Sequence, residues 1–152
     1  MEAVSSLLHR YFRLFDEYNQ NESVLNDILN LFQTDATWES DLLGIANGTD
    51  EVKAMINDQL ALPFISQVRH VSQGHDIVIN GKEATVFSYV VVYHKCTPII
   101  LTQIEDHVIQ DTTTGTWTFQ KRVFTDLQKN FEVMAEMQLK GKKRYSSSAL
   151  KE

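Results

Sequence analysis

Five histidines are the side chains of this sequence best suited to moving protons near neutral pH: His9, His70, His75, His94 and His107. Their spacing offers no tight metal-binding cluster. His70 and His75 lie five residues apart in a strand-like stretch, which places them on opposite faces and argues against a shared metal. Cys96 is the only cysteine, which excludes an intrachain disulfide and a cysteine-built zinc site. It falls in an apolar strand pattern and reads as inert packing. Acid–base chemistry between a histidine and a carboxylate remains. Such a carboxylate fixes which ring nitrogen is free, and it stabilises the imidazolium formed when the ring takes a proton. In an apolar cavity the free nitrogen can take a proton from carbon next to an activating group. Departure of hydroxide or halide from the adjacent carbon then gives an alkene, with no metal or organic cofactor required.

Taken singly, the candidates also have plainer readings. Asp16, near the end of the first helical segment, reads as a solvated residue, and His70 as a hydrogen-bonded core histidine. His94, beside Lys95 at a strand end, reads equally as facing water. The triplet Glu105-Asp106-His107 interrupts an apolar strand and reads as an exposed or edge feature. Trp38 and the aromatic stripe read as core, although in a hollow fold the same residues can line a ligand site.

The elements that must position these groups follow from periodicity. Val4, Leu7, Leu8, Tyr11, Leu14, Phe15 and Tyr18 recur at helical spacing, and Asn19, Gln20 and Asn21 end that helix. Val24, Leu25, Ile28, Leu29 and Phe32 mark a second, shorter helix. Ala36 to Ser40 and Gly44 to Asn47 read as short strands. A third helix opens at Gly48-Thr49-Asp50, with Thr49 or Asp50 as N-cap, and runs to a stop at Pro63. Four strands follow: Val68 to Ile79, Ala84 to Cys96, Ile99 to Gln110 and Thr116 to Leu127. Asn80-Gly81 is the strongest turn signal and suggests a type I′ hairpin centred on those two residues. Phe131, Val133, Met134 and Met137 suggest a C-terminal helix. Helices gathered on one side of a bent antiparallel sheet are an α+β architecture, and a sheet curled around a long helix can enclose a pocket.

Composition sets outer limits. The chain has 152 residues, 43% of them apolar and 22% charged, which suits a single globular domain with a real core. We read residues 1–140 as that domain and 141–152 as a flexible basic, serine-rich tail. The formal charge of −6 disfavours a nucleic-acid partner. The one basic cluster, Lys140, Lys142, Lys143 and Arg144, reads as a solvated terminus. No apolar run is long enough for a membrane span and no signal peptide is evident, so a cytoplasmic protein is expected.

Three local segments carry a resemblance to a known family. They are Phe15-Asp16, then Phe32-Gln33-Thr34-Asp35-Ala36-Thr37-Trp38-Glu39 followed by Gly48, and finally Gly115-Thr116-Trp117-Thr118-Phe119. In this order they resemble the NTF2-like superfamily and its SnoaL-like domains, over roughly residues 3 to 127. The resemblance implies a cone-shaped (cystatin-like) fold with helices on a curved antiparallel sheet around an internal pocket. Within the superfamily the chain is most similar to the branch of scytalone dehydratase and hexachlorocyclohexane dehydrochlorinase. Those enzymes use an Asp–His pair, and Asp16 and His70 stand at the matching positions. His94 matches a second pocket histidine of the dehydratase.

The sequence also departs from that pattern. Phe15 replaces a Tyr, and Ser40 stands where the dehydratase has a water-binding Tyr and steroid isomerases have their base Asp. Tyr11 and Asp106 fall near the isomerase's oxyanion-hole pair. The resemblance thus implies a cofactor-free dehydratase, isomerase or cyclase with His70 as base and Asp16 orienting it. Tyr11, Trp38, Ser40, Phe87, Tyr89, Tyr93, His94 and Asp106 are then candidates to line the pocket or bind substrate. The implied partner is a small hydrophobic or polycyclic organic molecule, and the implied assembly a homodimer or homotrimer. The same fold also serves as a ligand-binding module without turnover and as a structural small subunit of ring-hydroxylating dioxygenases.

Overall fold

The computed structural model describes residues 1–18 and 21–140. The turn expected at Asn19 and Gln20, and the tail at 141–152, lie outside the described residues.

Helix α1 (Glu2–Glu17) buries Val4, Leu7, Leu8, Tyr11, Phe12, Leu14 and Phe15 along one side, the stripe expected from the three- and four-residue spacing. Helix α2 (Glu22–Leu29) is opened by Asn21, whose side chain accepts a hydrogen bond from the Ser23 amide at 3.0 Å. Strand β1 (Phe32–Ser40) begins before the expected Ala36 and takes in Phe32, which helical spacing assigned to the second helix, and β2 (Gly44–Asn47) lies where expected. Helix α3 (Gly48–Leu60) ends before Pro63.

The start of α3 differs from expectation. The N-cap is Asn47, and the Glu51 carboxylate reaches back to accept from its amide at 2.8 Å. Thr49 does not cap the helix. Its hydroxyl donates to the Thr34 carbonyl at 3.0 Å and ties α3 to β1.

A single 3₁₀ turn (Ile65–Gln67) leads into β3 (Val68–Asn80), β4 (Glu83–His94), β5 (Thr97–Gln110), β6 (Trp117–Lys129) and helix α4 (Phe131–Lys140). The six strands form one sheet in the order β2-β1-β6-β5-β4-β3. All pairings are antiparallel except β1 with β6, which run parallel. The fold is therefore the expected α+β arrangement, helices packed on a curved, largely antiparallel sheet. Helix α1 packs across β3, and α3 packs across β1. Among the described residues no helix is long and apolar enough to cross a membrane.

Three local features correct the sequence reading. In the β3–β4 hairpin Asn80 pairs with Glu83, so the loop residues are Gly81 and Lys82. Gly81 takes φ 63° while Lys82 stays outside the left-handed region, the pattern of a type II′ turn. In β3 the register slips between Gln73 and Asp76, at Gly74, whose φ is 68°. That extra residue reverses the inward–outward alternation. His75 therefore turns to the same side as His70: its ring meets Ser5 of α1 at 3.1 Å and Ser72 at 2.8 Å, and lies tilted against His9 with ring centroids 4.7 Å apart.

The third feature is Cys96, which is exposed rather than packed. It lies with Lys95 in the two-residue turn between His94 and Thr97. Both turn residues adopt left-handed backbone, with φ of 48° at Lys95 and 68° at Cys96. A side chain in that region costs about 1–2 kcal/mol. Cys96→Gly is expected to raise stability by roughly 0.5–1 kcal/mol after the entropy cost of glycine, read from denaturant unfolding.

Candidate functional site

The apolar stripe of α1 presses Phe12 and Phe15 toward β3, and Asp16 follows one turn after Phe12 on the flank of that stripe. There it meets the start of β3. The Asp16 carboxylate uses both oxygens on one residue: Oδ1 lies 2.7 Å from Nδ1 of His70, and Oδ2 accepts from the His70 backbone N–H at 2.9 Å. The two side chains are equally shielded, each about 16% exposed. Because a carboxylate accepts, Nδ1 carries the proton in this contact and Nε2 is the nitrogen with the lone pair. Phe12 stacks on the imidazole at 5.2 Å and Phe15 meets it edge-on at 6.1 Å. Backbone, carboxylate and two aromatic rings thus fix the orientation of His70.

His70 lines a partly open cavity of about 140 Å³. Tyr11, Phe12, Phe15, Trp38 and Phe124 form its aromatic walls, and Val68, Val90, Val92, Ile99 and Ile100 its aliphatic ones. The polar groups on its surface are few: His70, Ser40, Gln59, Thr102, Asp126 and the Tyr11 hydroxyl. Burial pushes the Tyr11 phenol up to about 12, with Arg122 and Trp38 offsetting part of that rise, so Tyr11 enters the site as a neutral hydroxyl.

The sequence candidates divide clearly. Asp16 and His70 meet, and Tyr11, Trp38 and Ser40 line the cavity. The Ser40 hydroxyl also accepts from the amides of Leu42 and Leu43, at 3.1 and 3.3 Å, and so shapes the β1–β2 turn. Phe87 and Tyr89 do not line the cavity. They are 38% and 44% exposed on the outer face of β4, because Val86, Ser88 and Val90 take the inward positions of a period-two strand. Tyr93 is likewise absent from the cavity wall, where Val92 holds the inward position. His94, at the end of β4, shares a 3.0 Å contact with Gln67 and lies edge-on to the cavity-lining Phe64, but does not itself line the cavity.

Asp106 is neither an edge residue nor a cavity carboxyl. It is fully buried and receives two hydrogen bonds from Arg122, from Nε at 2.7 Å and from Nη2 at 3.1 Å. Cross-strand register brings them together, since Asp106 of β5 stands opposite Arg122 of β6. The guanidinium is packed by Phe119 at 4.1 Å and Tyr11 at 4.2 Å. Burial pushes the Asp106 carboxyl up from its ordinary range, and the guanidinium beside it partly offsets this. The pair is a buried strut beneath the cavity wall. Alternation contained a signal for it: Thr102, Ile104, Asp106 and Val108 fall on one face, and their apolar members mark that face as inward.

Asp126 was not among the sequence candidates. It shares the inward face of β6 with Arg122 and Phe124, again a period-two relation. Oδ1 accepts from the Thr102 hydroxyl at 2.8 Å, and Lys129 Nζ lies 3.9 Å from Oδ2. Burial raises its pKa, the Asp41 carboxylate adds to the rise, and Thr102 and Lys129 offset part of it. Among the described residues, no group of three or more metal-binding side chains is found.

Comparison with known proteins places this arrangement in context. The chain matches the model of the SnoaL-like domain over residues 1–123. It is similar to the solved structure of a cystatin-like protein of unknown function from Nostoc punctiforme, with 23% identity, a TM-score of 0.69, and 82% of this chain and 88% of that one covered. A scytalone dehydratase candidate from Novosphingobium aromaticivorans gives 20% identity and a TM-score of 0.70 over 86% of this chain and 85% of that one. LinA gives 17% identity and a TM-score of 0.68 over 84% and 85%. At these identities the likeness is one of fold. No curated protein matches the chain. With most of its length matched and its helices, sheet and cavity in the expected places, the chain belongs to the SnoaL-like domain family.

Proposed function

We propose that this chain is a cofactor-free acid–base enzyme acting on a small organic molecule held in the cavity, with His70 as general base and Asp16 as the residue that orients it. The 2.7 Å contact between Asp16 and Nδ1 of His70 carries this reading, because it leaves Nε2 with the lone pair on a ring that lines an apolar cavity. The base takes a proton from carbon, and the imidazolium that forms faces the Asp16 carboxylate. If the neighbouring carbon bears a leaving group, elimination follows; if not, the carbanion equivalent is reprotonated elsewhere, as in an isomerase, or attacks within the substrate, as in a cyclase. Similarity in fold to a scytalone dehydratase candidate supports the elimination branch.

Cavity size narrows the substrate. A volume of about 140 Å³ is close to the roughly 150 Å³ that accommodates benzene in an apolar protein cavity. The cavity in this form suits a single-ring molecule better than a polycyclic one.

Acetophenone is a one-ring probe with exchangeable protons next to its carbonyl. Exchange of those protons in deuterated buffer, followed by proton NMR, should be accelerated by the protein. His70→Ala should lose about 10²–10⁴-fold of that rate while keeping its circular dichroism spectrum. Equal exchange in the variant rules out His70 as the base.

A ligand-binding module without turnover is the second reading. It is favoured by Phe15 in place of a hydroxyl-bearing Tyr, and by Ser40, whose oxygen already accepts two turn amides. Binding of acetophenone with no exchange above buffer would select it.

A further inference from the structure

Among the described residues, Asp126 is the one carboxylate in the small set of polar groups that line the largely apolar cavity. Its side chain is about 6% exposed, and the residue lines the same cavity as His70. Thr102 satisfies Oδ1, but Oδ2 is buried without a hydrogen bond, and Lys129 Nζ stops 3.9 Å short of it. A buried acceptor left in this condition is destabilising, and more so when charged. It gains most from a ligand that brings a donor. Resting on the cavity reading above, we propose that Asp126 is a substrate-binding residue whose Oδ2 accepts a hydrogen bond from a hydroxyl or N–H group on a single-ring substrate. This assigns the natural ligand to the hydroxylated or amino-bearing ring compounds and sets it apart from pure hydrocarbons and halocarbons, which have no donor to offer.

The chemistry of the site agrees with this class. His70 sits on β3 and Asp126 on β6, with β4 and β5 between them, so the curved sheet sets the two groups on different parts of the cavity wall. A ring held by its donor at Asp126 is anchored at one end while a carbon is presented to the base at the other. Thr102 holds the carboxylate in place by its hydrogen bond to Oδ1.

Phenol and toluene have the same number of heavy atoms and differ in one donor, so they isolate this contact. Both are titrated by NMR into the unsubstituted protein, Asp126→Leu and Asp126→Asn. The ratio of phenol to toluene affinity should fall about 10- to 100-fold in Asp126→Leu, with toluene binding retained, and less far in Asp126→Asn, which keeps an uncharged acceptor. In the unsubstituted protein the Asp126 side-chain ¹³C resonance should move with phenol and stay still with toluene; this arm needs no variant to fold. An unchanged ratio in both variants, or an Asp126 resonance indifferent to phenol, overturns the inference. These readouts involve binding alone. Loss of the general-base reading through His70→Ala leaves them intact, and their failure leaves the exchange experiment intact.

Discussion

Arg122→Ala should destabilise the protein by about 3–5 kcal/mol, the loss typical when one partner of a buried ion pair is removed. Against a typical domain stability of 5–15 kcal/mol, that brings the protein close to unfolding. Asp106 is fully buried and both its oxygens are held by Arg122, which is the cation that answers its charge. The truncation also removes the cation from between Phe119 and Tyr11 and leaves a void beneath the cavity. The sign with pH follows. With the guanidinium gone, the Asp106 carboxyl in the folded state titrates further above its unfolded value. The folded state then binds the extra proton, so the variant is least impaired in acid and loses stability as pH rises past the ordinary carboxylate range. Denaturant unfolding at several pH values measures this. Replacing both members, Asp106→Leu with Arg122→Met, should recover most of the loss, because the desolvated charge is removed with its partner. A single variant as stable as the parent would show that the pair is dispensable.

Asp16→Asn should give the second large effect, this time on chemistry. The carboxylate accepts from two donors of His70. An amide can accept with its oxygen but presents N–H on its other side. If the oxygen keeps the backbone N–H, the amide nitrogen faces Nδ1, which must then accept. The proton moves to Nε2, and the lone pair needed in the cavity is lost. Acetophenone exchange should drop about 10²–10⁴-fold, close to the effect of His70→Ala, although the imidazole is still present. The ¹⁵N spectrum of His70 provides a readout that a merely structural role would not move: the protonated nitrogen should switch from Nδ1 to Nε2. Normal exchange with an unchanged tautomer would show that Asp16 positions the β3 backbone only.

The contrast between these two aspartates reflects what spacing can and cannot convey. The stripe of α1 was legible because a 3.6-residue period repeats within one helix, but pattern alone placed Asp16 only near the helix end, as a solvated residue. Its partner could be named only through resemblance, since 54 residues separate it from His70. Asp106 was misplaced because an acidic triplet was weighed as composition, when its alternation with Ile104 and Val108 pointed inward. Asp126 and Arg122 were missed for a related reason. Register shifts in β5 and β6 change which residues face the core partway along the strand.

The sequence by itself determined the local elements: one amphipathic helix, the short helices, the strand runs and most turn positions, all governed by periodicity and by residues with restricted backbone angles. It also determined the class of chemistry available, a few histidines and carboxylates with a lone cysteine. Tertiary structure decided everything that depends on register between distant strands. It set β1 parallel to β6, brought His75 to the side of His70 through one extra residue at Gly74, and joined Asp106 to Arg122. It also turned Phe87 and Tyr89 outward and Asp126 into the cavity wall. The physical reason is that a strand's side-chain period is two, so one bulge or a one-residue slip exchanges its inner and outer faces. A single chain records the period but not the slip.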